Sequence, residues 1–201
     1  MDQFMSKNPA AFFVNGDNSS VVKVCASVDI NASPEVVYEL ITDLNRKTKL
    51  CPHTSVIRIS WNPPGAVDVG TIYHHRVAID GHVADYQNHV VELEVGRRMV
   101  TQSNTDPSFR VEVIVEPIPS GARLTQIESF PLAELVIPVP KGSGWFGNLL
   151  RWFFGEGDIR QGEHVLTREA DEMQSKLQPR LEAWLKSIQR HLEKQEGKLF
   201  A

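Results

Sequence analysis

Residues 29–53 read DINASPEVVYELITDLNRKTKLCPH, and the passage of this stretch from extended to helical to broken chain decides the fold. Just ahead of it, residues 21–31 (VVKVCASVDIN) alternate, with Val22, Val24, Ala26, Val28 and Ile30 on one side and Lys23, Ser27 and Asp29 on the other. That period marks a half-buried strand. Ser33 then stands where an N-cap accepts from orphan amides. Pro34 fills the first helical position at no hydrogen-bond cost, and Glu35 suits the positive end of the helix dipole. Val36, Val37, Leu40 and Ile41 form a short apolar face. Asp43 is placed to cap a second brief helix ending near Leu50, because Pro52 discourages its continuation.

After Pro52 the apolar period falls from about 3.6 to about 2 and stays there for some eighty residues, the pattern of an antiparallel meander. The strands are expected at 54–61, 69–79, 82–95, 98–103, 109–118 and 122–131. Turn residues separate them: Asn62-Pro63-Pro64-Gly65, Asp80-Gly81, Gly96, Asp106-Pro107 and Pro119-Ser120-Gly121. With Ile79 facing His82 across the Asp80-Gly81 turn, Arg76 falls opposite Asp85 and Val77 opposite Ala84. The inner face then carries Tyr73, His75, Val77 and Ile79 with His82, Ala84 and Tyr86. Val91, Leu93 and Val95 have the opposite parity, which predicts a bulge near Asn88.

Residues 132–162 are broken by prolines and glycines into an irregular, lid-like segment. A last helix is expected from Glu163 to Glu196, with Leu166, Ala170, Met173, Leu177, Leu181, Trp184, Ile188 and Leu192 in one stripe. At roughly 1.5 Å per residue it approaches 50 Å. Pro179 predicts a kink in it.

Lys+Arg 21 against Asp+Glu 25 gives a net charge of −4, which disfavours nucleic acid as a partner. Cys25 and Cys51 have no CxxC spacing and read as two buried free thiols in a reducing compartment. Residues 1–20 have no cationic start and read as a loosely attached leader, and 197–201 as a tail. The sequence has no apolar run of the roughly 18 residues that a spanning helix requires. A cytoplasmic protein is expected.

Strand, two short helices, six strands and one long helix, opening with Ile30-Asn31-Ala32-Ser33-Pro34-Glu35-Val36-Val37-Tyr38, resemble the polyketide cyclase/dehydrase and START-type lipid-transfer (SRPBCC) superfamily over about residues 21–196. Where that family commonly has a tryptophan before a proline, this chain reads Leu50-Cys51-Pro52. The resemblance implies an α+β helix-grip fold, a curved antiparallel sheet of about seven strands around the C-terminal helix. It also implies a cavity between sheet and helix for a lipid, sterol or aromatic polyketide-like molecule, and only some relatives are enzymes.

Tyr73, His75 and Tyr86 are the inward polar trio, with apolar bodies and tips able to orient a ligand or exchange protons. Val77 and Trp184 join them as expected ligand contacts. The histidines His53, His74, His75, His82 and His89 cluster in sequence without the third or fourth converging ligand a metal site needs, so neither metal nor cofactor is expected. Trp145, Phe146, Leu149, Trp152 and Phe153 belong to a segment that, if helical, is apolar almost all round. It reads as a cavity lid, as core, or as a surface that docks on a membrane or partner. The expectation is a binding module for a hydrophobic small molecule gated by residues 145–154, which requires a hollow of at least about 300 Å³. The alternative is a cyclase or dehydratase using the Tyr/His trio.

Overall fold

The structure, a computed structural model, describes residues 21–79, 81–105, 108–131 and 163–199. Strand β1 (Val21–Ile30) leads into helices α1 (Pro34–Thr42) and α2 (Leu44–Lys49). Strands β2 (Thr54–Asn62), β3 (Ile72–Ile79), β4 (His82–Glu94), β5 (Arg98–Ser103), β6 (Arg110–Ile118) and β7 (Gly121–Pro131) follow, then the long helix α3 (Glu163–Leu199). The strands form one antiparallel sheet in the order β1-β7-β6-β5-β4-β3-β2. This is a helix-grip architecture. The leader, Asp80, Asp106-Pro107, the 132–162 segment with its five expected contact residues, and the end of the tail lie outside the described residues.

Both expected caps form. Ser33 Oγ accepts from the Val36 amide at 3.4 Å, and Asp43 Oδ1 accepts from the Arg46 amide at 3.0 Å. Val37, Leu40 and Ile41 are buried, but Val36 is 39% exposed, so the apolar face of α1 is one residue narrower than its sequence suggests. The β3–β4 register is the one expected, with Ile79 opposite His82, Arg76 opposite Asp85 and Val77 opposite Ala84. His82 is nevertheless exposed, at the end of the hairpin. Strand β3 starts at Ile72 rather than 69 because Asp68 and Thr71 organise a turn first. The Thr71 amide donates to the Asp68 carbonyl at 3.0 Å, and Thr71 Oγ1 accepts from the Asp68 amide at 3.0 Å.

The bulge lies at Val91, where the β4–β5 register shifts between Val90 and Glu92, three residues beyond Asn88. Asn88 and Val90 keep the inward parity of Ala84, and the extra residue, Val91, is turned outward. Cys25 corrects a second expectation. It is free but exposed, on the outward parity of β1, while Cys51 is free and half-buried.

The core lies between the concave sheet, α1 and α3, where Met173, Leu181, Ile188 and Leu192 of the expected stripe are buried together with Leu185, which that stripe omitted. Pro179 lies within α3. Polar side chains of this helix also satisfy the open edge of β1. Gln178 Nε2 donates to the Cys25 carbonyl at 2.8 Å while its Oε1 accepts from the Cys25 amide at 3.3 Å, and Gln189 Nε2 donates to the Asp29 carbonyl at 3.0 Å. An edge strand is thereby closed to further pairing at those groups.

Candidate functional site

Three walls enclose a hollow between the sheet and α3: Leu44, Lys47 and Thr48 from α2; Met173, Leu177, Leu181 and Trp184 from α3; and inward side chains of β3 to β7. Most of the surface is apolar, supplied on the sheet side by Met99, Val111, Val113 and Phe130. Its volume is about 210 Å³. That is smaller than the lower bound of about 300 Å³ expected for a site taking lipid-sized ligands.

Of the residues singled out from sequence, His75, Tyr86 and Trp184 border the hollow. Tyr73 and Val77 are buried but are not among its lining residues. Tyr73 is tied elsewhere, its hydroxyl donating to the Thr42 carbonyl at 2.9 Å and so joining β3 to α1. The trio therefore does not converge on one point. His75 and Tyr86, directly paired across β3 and β4, stack with ring centroids 4.7 Å apart and planes 4° apart. Burial pushes the His75 imidazole down to about 4, with the nearby Lys47 charge adding to it, and burial drives the Tyr86 phenol well above its ordinary value. Both shifts favour the uncharged rings.

Among the polar wall residues that sequence reading missed are Lys47, Asn88, Gln126 and Glu128. Lys47 is 3% exposed and Gln126 fully buried. Gln126 Nε2 donates to Glu128 Oε1 at 2.6 Å. Burial lowers the Lys47 amine to about 8 and raises the Glu128 carboxyl, each partly offset by the opposite charge of the other. The two therefore move toward neutrality from opposite ends. Lys47 Nζ lies 4.9 Å from the centroid of the Trp184 ring, and Trp184 Nε1 donates to the Lys47 backbone carbonyl at 3.1 Å, so one residue of helix α3 meets both the backbone and the amine of this lysine.

Three bordering side chains keep hydrogen-bonding capacity in reserve. His75 Nδ1, Asn88 Oδ1 and Gln126 Oε1 are buried with no partner, while Asn88 Nδ2 lies 3.5 Å from His75 Nε2. Buried polar atoms without partners are rare and costly, and three of them border this hollow. Among the described residues, no group of three or more His, Cys, Asp or Glu is placed to hold a metal ion, and no helix is long and apolar enough to cross a membrane.

Solved structures share this architecture. Protein SA2116 from Staphylococcus aureus, described as of unknown function, superposes with a TM-score of 0.62 at 13% identity, covering 90% of this chain and 98% of that one. The polyketide-cyclase-like protein Cgl2372 from Corynebacterium glutamicum gives 0.52 at 21% identity, covering 87% and 93%. The di-domain ARO/CYC StfQ from the steffimycin biosynthetic pathway gives 0.60 at 13% identity. The match covers 88% of this chain but 52% of StfQ, so the chain spans about half of that protein. At these identities the likeness is one of fold. No curated protein sequence matches the chain significantly. The family model described as polyketide cyclase / dehydrase and lipid transport matches residues 21–193, from the first strand to the last turns of α3, and the chain belongs to that family.

Proposed function

We propose that this protein binds a small, ring-bearing hydrophobic molecule in the hollow between the sheet and α3. The observation that carries the reading is the combination of apolar walls with three bordering side chains that each hold one buried polar atom without a partner. Apolar pockets with a few placed polar groups are the usual form of a small-molecule site. Volume sets the ligand class. A cavity of about 150 Å³ suffices for benzene, so about 210 Å³ suits one substituted ring or two fused rings. A hollow of this volume favours one or two rings over the lipids and sterols that the family also takes. The family membership supports binding in this place, and the flat His75–Tyr86 stack offers a ring-shaped surface beside it.

Isothermal titration with 2-naphthol tests this reading. Saturable binding is expected, weakened at least tenfold in Val111→Phe, which adds a ring to the sheet-side wall. Cholesterol presented in the same way is expected not to bind. An absence of saturable binding by naphthol, or binding unchanged in Val111→Phe, overturns the reading.

A further inference from the structure

We propose that Lys47 captures carbonyl compounds covalently as a Schiff base, with Glu128 serving the proton transfers, which makes small aromatic aldehydes or ketones the ligand class. The inference rests on the hollow being a binding site and names what it binds.

Lys47 is placed as a reactive lysine rather than a structural one. It follows Leu44 by one helical turn on the inward face of α2, so its side chain runs into the protein interior. Among the described residues it forms no ion pair, although nine such pairs occur elsewhere among those residues. A buried ammonium without a contacting carboxylate is expensive. The Trp184 ring at 4.9 Å gives it a platform, and the hollow gives it access to a ligand.

The titratable groups bordering the same hollow are Glu128 on β7, His75 on β3, Tyr86 on β4, Arg180 on α3, and Cys51 and His53 on the segment after α2. Among them Glu128 offsets the lowering of the amine most strongly. With the amine at about 8, roughly a tenth of it is unprotonated at pH 7, against well under a thousandth for an ordinary lysine. Lysines desolvated in this way are the ones that form Schiff bases.

The reaction balances without any further reagent. The nitrogen lone pair of Lys47 attacks the carbonyl carbon, forming a C–N bond while the carbonyl π electrons go to oxygen. Protonation of that oxygen and loss of a proton from nitrogen give the carbinolamine. Glu128, whose carboxyl burial favours the protonated form, donates a second proton to the hydroxyl. The C–O bond breaks, water leaves, and the remaining N–H proton returns to the Glu128 carboxylate. The sum is amine plus carbonyl giving imine plus water.

The test is reductive trapping with 2-naphthaldehyde and sodium borohydride on the intact chain, followed by peptide mass mapping. Adduct at Lys47 is expected to form at least tenfold faster than at any other lysine, to be lost in Lys47→Met, and to accelerate as pH rises through 8. Glu128→Gln keeps the amine and is expected to slow trapping at least fivefold. Labelling spread evenly over the lysines, or an undiminished rate in Glu128→Gln, overturns the proposal. Naphthol binding without Lys47 adduct refutes capture and leaves the binding reading standing, whereas failure of both removes the two together.

Discussion

The imidazole of His75 lies flat on the phenol ring of Tyr86, 4.7 Å between centroids and 4° between planes, and it takes up a proton only near pH 4 instead of 6.5. The sign of the resulting pH dependence follows directly. As pH falls below 6.5 the unfolded chain binds a proton that the folded chain refuses until about 4, so stability falls with pH across that window. A shift of this size corresponds to up to about 3 kcal/mol. His75→Phe keeps a ring on Tyr86 and removes the titration. Urea midpoints measured at pH 7 and pH 4.5 are expected to show the wild type losing about 2–3 kcal/mol relative to the variant. Equal losses in both proteins rule out His75 as the source.

Gly121 opens β7 with φ of +137°, and a Cβ built there would stand 2.3 Å from the Ile30 carbonyl oxygen and 2.8 Å from that of Ala32. Those contacts are backbone, from the turn that carries β1 into α1, and cannot swing aside as a side chain would. Gly121→Ala is expected to cost about 3 kcal/mol, combining left-handed strain with the displaced turn. Thermal or urea denaturation checks it, and a loss under about 1 kcal/mol means the turn yields easily.

Gln178 imitates a strand at the edge of β1, since its amide both donates to and accepts from the Cys25 backbone. Gln178→Ala is expected to destabilise by about 1–2 kcal/mol and to bare part of an edge that invites pairing with other chains. Light scattering at the onset of unfolding should rise in the variant. Unchanged stability and scattering together mean that water replaces the clamp at no cost.

Much of this was legible in the sequence wherever local chemistry settles the outcome. Ser33-Pro34-Glu35 and Asp43 start the two helices they cap, and residues 72–94 pair in the register that their turn and parity require. The bulge was misplaced because parity alone records that one residue is inserted, and which residue is turned out depends on packing against β5. Three site residues carry a readable signal in the sequence. Ala122, Leu124, Gln126, Glu128 and Phe130 share one parity, so β7 sends two polar side chains inward, and Leu44, Lys47 and Thr48 are spaced as one helical face. The volume of the hollow was not legible. It depends on how side chains from eight elements and the segments between them fill a shared space, and no local pattern encodes that sum.

Lys47 yields the opposite pH dependence from an ordinary salt-bridged lysine. Its amine loses a proton near pH 8 in the folded chain against 10.5 in the unfolded one. Between those values the unfolded chain holds the extra proton, so stability rises with pH across the window, and below pH 8 the folded protein bears the whole desolvation cost. Met occupies a similar volume without charge. Lys47→Met is therefore expected to be more stable than the wild type at pH 7 by about 1–3 kcal/mol, after allowing for the lost contact with the Trp184 ring. The gap should narrow by pH 10 as the wild-type amine gives up its charge. Paired urea titrations at pH 7 and pH 10 measure both differences. A variant less stable than the wild type at pH 7 means that the lysine is compensated in place, through Glu128 and Trp184, and that its burial holds no destabilisation in reserve for a ligand to relieve. A more stable variant that no longer traps naphthaldehyde places Lys47 among residues kept for function at the expense of stability.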